Sequence, residues 1–269
     1  MNFTEYNIEN KYIEGVLNTL KQLNTVDAAA LGGSRSTGAA DEKSDYDLYI
    51  YCSQIPSAET REKLLCKFCS AAEFGNHYWE SEDNTVMKDG VCVDIIYRES
   101  DKFGWYINSV IKGGKAFNGY TTAFWHNIRN SKILFDKTGT FTKFRNEAQL
   151  DYPENLRTAI IKNNRSLLSG KLPSYDMQIK KAQERGDIVS VNHRITAFLE
   201  SYFDVIFALN RQTHPGEKRQ IQLCKELCAV LPEDFEKNIN ALAASISQGG
   251  SYEIVTDMVN KLDKIIDKK

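Results

Sequence analysis

The fold is decided by residues 31–50, which read LGGSRSTGAADEKSDYDLYI. The apolar run at 26–31 predicts a short strand that ends in Gly32 and Gly33, and the β-rich run that starts at Tyr46 predicts the next strand. A glycine pair directly after a strand lets the chain turn sharply and lets backbone groups come close to a ligand. The sequence therefore predicts two strands joined through a glycine-rich turn.

The turn has the features of a phosphate site. Gly32 and Gly33 lack side chains where backbone amides would approach a phosphate, and Ser34 adds a hydroxyl donor just before a predicted helix start. Arg35 follows directly and would reach phosphate oxygens, although a solvated loop arginine fits the sequence equally well. We expect a nucleotide-phosphate cradle at these four residues.

Three carboxylates accompany the turn. Asp45 and Asp47 lie two residues apart on a predicted strand and are expected to project side by side, so their repulsion calls for a cation. Asp94 is the only charge in the β-rich run 91–97, where an acid is costly unless it is paired or coordinated. Oxygen ligands of this kind suit Mg²⁺. We predict that all three acids are catalytic and hold Mg²⁺, with Asp94 either ligating a second ion or taking the proton of an attacking hydroxyl.

Taken singly, a Gly-Gly-Ser turn and an Asp-x-Asp pair are ordinary structural features. Together, Gly33 and Ser34, then Asp45 and Asp47, then Asp94 on a later strand resemble the nucleotidyltransferase superfamily of DNA polymerase β type. The layout most resembles the small bacterial nucleotidyltransferases that modify aminoglycoside and lincosamide antibiotics. The resemblance implies Mg²⁺-dependent attack of an acceptor hydroxyl on the α-phosphate of a nucleoside triphosphate, with release of pyrophosphate. It also implies that ATP or another nucleoside triphosphate is the co-substrate, bound through Ser34.

Two domains are expected from the pattern of elements. Over 1–150, helical and strand patterns alternate, with predicted strands at 26–31, 46–52, 85–87, 91–97 and 133–135 and predicted helices at 8–23, 56–73 and 101–112. Asp89 and Gly90 between two β-rich runs predict a hairpin. Over 151–269, only helical patterns occur. We therefore predict an α/β (α+β) nucleotidyltransferase domain with a short mixed sheet, followed by an all-α helical bundle that binds the acceptor.

The helical half offers candidates for acceptor binding. His193, Glu200 and Asp204 share one face of a mostly apolar predicted helix over 187–210. Two acids one turn apart on such a helix are unfavourable unless a cation meets them, and a nearby lysine or arginine would suffice. The functional interpretation is that Glu200 and Asp204 line a cleft between the domains and attract a cationic acceptor such as an aminoglycoside. His193 is more typical of a polar-edge or core histidine than of a catalyst.

The segment 207–219 ends this predicted helix and carries three cationic side chains near a turn. It resembles segments in helical domains that follow uncharacterised bacterial nucleotidyltransferase domains. Two interpretations stay open, a phosphate or nucleotide contact and a solvated loop.

Composition excludes several classes of partner. The 269 residues carry 34 basic and 36 acidic side chains, a net charge of −2, so a long nucleic acid is not expected to bind. No window approaches the ~18 apolar residues of a membrane span, and the first residues lack the pattern of a signal peptide. We expect a cytoplasmic protein without a membrane partner, and the sequence leaves a homodimer open.

The leading hypothesis is an adenylyltransferase that moves AMP, with two Mg²⁺ ions, onto a small-molecule hydroxyl. Transfer onto a protein or RNA end is a second hypothesis. A nucleotide-binding regulatory or antitoxin-like module without turnover is a third, because such folds also serve as binding modules.

Overall fold

The computed structural model describes residues 5–38 and 44–267. The chain divides into two compact units, the first made of Met1–Asn108 and Asn127–Leu150 and the second of Ser109–His126 and Asp151–Lys269. Residues 109–126 thus group with the helical unit. The boundary at residue 150 stays a prediction about the functional domains.

A six-stranded mixed sheet forms the centre of the first unit. Its strands are β1 (Val26–Leu31), β2 (Tyr46–Cys52), β3 (Cys69–Asn76), β4 (Ser81–Met87), β5 (Cys92–Glu99) and β6 (Lys132–Asp136). They are arranged in the order β3-β4-β5-β2-β1-β6. The pair β2–β5 is parallel, and the other neighbours are antiparallel. The predicted α/β class with a short mixed sheet is confirmed.

Helices accompany the strands in the first 150 residues. They are α1 (Lys11–Lys21), α2 (Gly33–Thr37), α3 (Ala58–Leu65), α4 (Ser100–Ile111), α5 (Ala123–Asn130) and α6 (Thr140–Ala148). Of these, α1 and α6 each bury an apolar face. Asn10 caps α1 through a side chain that accepts from two backbone amides of the first turn. Ile13, Val16 and Leu20 of α1 are fully buried in the core with residues of β1, β2 and β5. Burial of each such side chain contributes roughly 2 kcal/mol.

The prediction of a helix over 56–73 is wrong for its second half. Helix α3 ends at Leu65, and after one 3₁₀ turn at Cys66–Phe68 the chain enters β3. β3 is a largely exposed edge strand that pairs only with β4, so its small and polar side chains show no apolar alternation. Pairing with β4 outweighs the local helix propensity. The hairpin predicted at Asp89 and Gly90 is confirmed, because β4 and β5 pair on either side of it.

The helical region predicted after residue 150 is confirmed. It consists of α7 (Glu154–Leu168), α8 (Tyr175–Glu184), α9 (Ile188–Leu209), α10 (Gln220–Leu227), α11 (Phe235–Gln248) and α12 (Ser251–Ile266). The C-terminal half of α9 is buried on nearly all sides, and Phe198, Tyr202 and Phe207 lie in the core of this unit. Among the described helices, none is long and apolar enough to cross a lipid bilayer.

A buried hydrogen-bond network ties the segment before α5 to α7 and α9. Asp204 is 1% exposed and accepts from the Thr121 amide at 3.2 Å, the Thr121 hydroxyl at 2.7 Å and Nδ2 of Asn164 at 3.0 Å. Asn164 also accepts from the Gly119 amide at 2.9 Å and donates to the Phe117 carbonyl at 2.9 Å. Asp204 therefore fastens this segment to the helices.

Asp204 makes the stability of the helical unit depend on pH. Burial raises its pKa to about 7 against the opposing hydrogen bonds from Thr121. The folded state therefore keeps a proton on Asp204 that the unfolded chain releases near pH ~3.9. The stabilisation from this bound proton is fully present below that pH and is lost as the pH rises to about 7. We expect the free energy of unfolding of wild type, measured with urea, to fall by on the order of 2 kcal/mol relative to that of Asp204→Asn between about pH 5 and pH 8.

The variant Asp101→Asn, which removes an exposed carboxylate on α4, controls for the loss of one negative charge. If the free energy of unfolding changed with pH in the same way for wild type and Asp204→Asn, Asp204 would not be the source of the pH dependence.

Candidate functional site

Two carboxylates lie side by side on the parallel strand pair. Asp47 of β2 and Asp94 of β5 are Cα register partners. Partners on neighbouring strands are about 4.8 Å apart, and their side chains leave the sheet on the same face. Both residues are partly buried. The strand of Asp94 thus lies beside that of Asp47.

Asp45 stands outside this pair. β2 begins at Tyr46, so Asp45 is exposed and precedes the strand, and strand alternation does not set the direction of its side chain. Within 5–38 and 44–267, no group of three or more His, Cys, Asp or Glu side chains is close enough to hold a metal ion. The two strand carboxylates nevertheless fit Mg²⁺, which commonly takes one or two protein carboxylates and completes its shell with phosphate oxygens and water.

The glycine pair brings the α2 turn against these strands. Gly33 has φ +60°, and a Cβ there would lie 1.8 Å from Oδ2 of Asp47, so only glycine lets the backbone pass this carboxylate. The Gly32 amide donates to the Asp47 carbonyl at 2.9 Å, and a Cβ there would lie 2.2 Å from the Tyr49 ring. Gly32 therefore joins the end of β1 to β2, and its amide is already used.

Ser34 and Arg35 lie half-buried in α2. The Arg35 guanidinium stacks on the Tyr46 ring at 4.0 Å and donates to the Ser44 carbonyl through Nε at 2.9 Å and through Nη2. It thereby links α2 to the residue before Asp45, across residues 39–43, which lie outside the described part of the chain. This link is a structural role for Arg35 beside the predicted phosphate contact.

Strands β3 and β4 each supply one polar residue that was not predicted. Asn84 is the register partner of Asp94 and donates from Nδ2 to Oδ1 of Asp94 at 2.9 Å. Asn76, at the end of β3, donates from Nδ2 to Oδ1 of Asn84 at 2.8 Å. The signal was present in the hairpin around Gly90, because a tight turn fixes which residues face each other.

A buried acid adds to the negative charge of this face. Glu82 precedes Asn84 by two residues on β4 and is 9% exposed. Its pKa is raised by burial first and then by the negative charges of Asp94 and Glu80, while a hydrogen bond to the backbone of Tyr78 opposes the shift. This concentration of carboxylates favours a cation.

Arg98 of β5 forms a buried ion pair with Glu80. The guanidinium donates to both Glu80 carboxylate oxygens at 2.8 and 2.7 Å, and Nη1 donates to the Tyr51 hydroxyl at 3.2 Å and to Oδ1 of Asn127 at 3.0 Å. The pair holds the β3–β4 turn to β5, since Glu80 belongs to that turn.

The three residues predicted to bind an acceptor differ in environment. His193 is exposed. Glu200 is half-buried, and burial raises the pKa of its carboxyl. Asp204 is buried and its carboxylate is used by the network described above. Among these three, Glu200 alone offers a carboxylate that is both partly desolvated and accessible.

The turn after α9 is fixed by buried hydrogen bonds. The His214 amide donates to the Thr122 hydroxyl at 2.8 Å, and Nδ1 of His214 accepts from the Gly216 amide at 3.1 Å. Burial lowers the pKa of His214 to about 3, with the nearby His126 adding to the shift, so the imidazole is neutral at physiological pH. A phosphate contact in this segment would have to come from its exposed cations.

A pair of glycine substitutions separates backbone strain from the collision at Asp47. Gly33 begins α2 and Gly38 follows its end, with φ +60° and +78°, but a Cβ at Gly38 would meet no atom of the described residues within 4 Å. Both Gly→Ala changes should cost about 1 kcal/mol of left-handed strain, measured by urea unfolding. Gly33→Ala should lower the free energy of unfolding by more than Gly38→Ala does. Of the two variants, only Gly33→Ala should abolish any stabilisation by a nucleotide with Mg²⁺. Equal effects of the two substitutions would show that the approach of Gly33 to Asp47 has no consequence.

Family models match two consecutive stretches of the chain. Residues 13–117 match the nucleotidyltransferase domain, and residues 122–220 match a domain of unknown function, DUF4037. None of the curated proteins matches the chain.

Solved structures show weak similarity at low identity. A nucleotidyltransferase-like protein from Exiguobacterium sibiricum is 9% identical with a TM-score of 0.43, over 96% of this chain and 73% of that one. An aminoglycoside 6-adenyltransferase from Bacillus subtilis is 10% identical with a TM-score of 0.32, over 98% and 91%. A spectinomycin adenyltransferase from Enterococcus faecialis, solved with ATP and spectinomycin, is 13% identical with a TM-score of 0.33, over 94% and 100%. Scores this low do not transfer a substrate to this chain.

The matched domain covers the glycine turn, Asp47 and Asp94, which are the residues that the fold brings to one place. Residues 13–117 thus form a nucleotidyltransferase domain, and a domain of unknown function, matched over residues 122–220, follows it.

Proposed function

We propose that the protein transfers AMP from ATP, with Mg²⁺, onto a hydroxyl of a small molecule and releases pyrophosphate. The observation that carries the proposal is the register pairing of Asp47 with Asp94, with Gly33 against the Asp47 carboxylate. Two carboxylates held this close are unfavourable alone and become favourable with a divalent cation.

In this proposal Asp94 has two tasks, and Asp47, Asp45 and Ser34 have one each. Asp47 and Asp94 hold the divalent ions, with Asp45 as a further ligand, and Ser34 contacts the triphosphate. Bound ions would supply neutralisation of the charge on the phosphates and on the attacking and leaving oxygens. The hydroxyl of the acceptor gives its proton to Asp94 as its oxygen bonds to the α-phosphorus, and the bond from that phosphorus to the pyrophosphate oxygen breaks. Catalysis rests on positioning and on charge stabilisation.

The proposed acceptor class is a cationic small molecule, with an aminoglycoside-like compound as the first candidate. The support is Glu200, whose half-buried carboxylate would gain from an ammonium group because burial has already removed part of its hydration. We assign no acceptor contact to Asp204, because its oxygens are used inside the helical unit.

Thermal unfolding with each of the four nucleoside triphosphates, with and without Mg²⁺, tests the site before the acceptor is known. A ligand at a hundred times its dissociation constant stabilises the folded state by about 2.7 kcal/mol. We expect a Mg²⁺-dependent rise of the midpoint with ATP, and we expect Asp47→Asn to remove that rise because half of the carboxylate pair is lost. Asp101→Asn serves as the matched control on an exposed acid of the same domain.

Turnover is measured as pyrophosphate release with a panel of hydroxyl acceptors. Release by wild type and none by Asp47→Asn would support transfer. Wild-type release by Asp47→Asn would refute the assignment. Nucleotide binding without release under every acceptor would favour a regulatory module, and labelled nucleotide on a macromolecule would favour transfer to a protein or RNA end.

A further inference from the structure

Asp94 is contacted from both sides of its strand. β5 lies between β2 and β4, so Asp94 has Asp47 as its register partner on one side and Asn84 on the other. Asn84 donates to Oδ1 of Asp94 at 2.9 Å, and Asn76 donates to Asn84 at 2.8 Å. We call Asn76 and Asn84 the amide relay.

The two amide groups of the relay have one possible orientation while Asp94 is ionised. A carboxylate is an acceptor, so Asn84 must turn its NH₂ group toward Asp94 and its carbonyl oxygen away. That oxygen accepts from the NH₂ group of Asn76, whose second contact is Oε2 of Glu73 at 3.2 Å. Each amide therefore fixes the orientation of the next, starting from the exposed edge strand.

We propose that Asn84 is a positioning residue for Asp94 and that Asn76 sets the orientation of Asn84. With Oδ1 of Asp94 engaged by Asn84, Oδ2 is the oxygen left for a divalent ion or for the acceptor hydroxyl. The inference deepens the proposed function, on which it rests. Partners that orient a metal-binding carboxylate typically change metal affinity by 10–100-fold when they are removed.

Three substitutions separate positioning from packing. Asn84→Ala removes the donor to Asp94. Asn76→Ala removes the hydrogen bond that fixes the orientation of Asn84 but leaves Asn84 able to donate to Asp94. Asn76→Asp places a carboxylate beside Asn84, which should turn its NH₂ group toward the new charge and present its carbonyl oxygen to Asp94. The two Asn76 variants lose the same bond from an edge strand and differ only in what they do to the Asn84 amide.

The experiment is calorimetric titration of each variant with α,β-methylene-ATP, with and without Mg²⁺, next to wild type and Asp47→Asn. We expect Asn84→Ala and Asn76→Asp to weaken Mg²⁺-dependent binding by about tenfold or more and Asn76→Ala by less than about threefold. Unfolding midpoints without ligand should agree closely between the two Asn76 variants, so that a binding difference between them is not a difference in folding.

The controls separate the failure of this inference from that of the proposed function. No Mg²⁺-dependent binding by wild type, or equal binding by Asp47→Asn, would remove the nucleotide site itself and the relay with it. If Asp47→Asn loses binding while Asn84→Ala binds like wild type, the relay alone is overturned. The relay is also overturned if Asn76→Ala weakens Mg²⁺-dependent binding as much as Asn76→Asp does. Equal losses are expected if Asn76 contributes only packing.

Discussion

Repulsion between Asp47 and Asp94 is the constraint to which the rest of the site responds. Two unit charges about 4 Å apart repel by about 4 kcal/mol near a protein surface, against about 1 kcal/mol in bulk water. The parallel register of β2 and β5 holds the two residues together whether or not a cation is present. The neighbouring cation on β5, Arg98, forms a bidentate pair with Glu80 instead. A divalent ion bound by both carboxylates would offset this repulsion.

The sequence predicted the parts of this site that depend on local pattern. The bounds of β1 and β2 follow from an apolar run and an aromatic-rich run, and the Asp-Gly turn predicts the β4–β5 hairpin. Pattern failed where tertiary pairing decides the structure. An exposed edge strand such as β3 needs no apolar face, so the sequence pattern does not distinguish it from helix, and without β3 the contact of Asn76 with Asn84 is not predictable.

The helical half shows the same limit in another form. The shared face of Glu200 and Asp204 on α9 is visible in the sequence, since it requires only helical spacing. The sequence does not show that Thr121 and Asn164 fill the hydrogen-bonding capacity of Asp204 while Glu200 remains half-buried. These partners come from 83 and 40 residues away along the chain. Two acidic residues one turn apart thus have different environments, one buried in a hydrogen-bond network and one half-buried.

The single parallel junction in the described sheet explains why the acids meet at all. Asp47 is the second residue of β2 and Asp94 the third of β5, so both lie near the starts of their strands. In a parallel pair the starts lie at the same edge, whereas an antiparallel pair would set the start of β2 against the end of β5, near Arg98. There Asp47 would lie near a cation and away from Asp94. The hairpin of β4 and β5 is therefore inserted so that β5 runs with β2, and Asn84 reaches Asp94 because β4 then covers the free edge of β5.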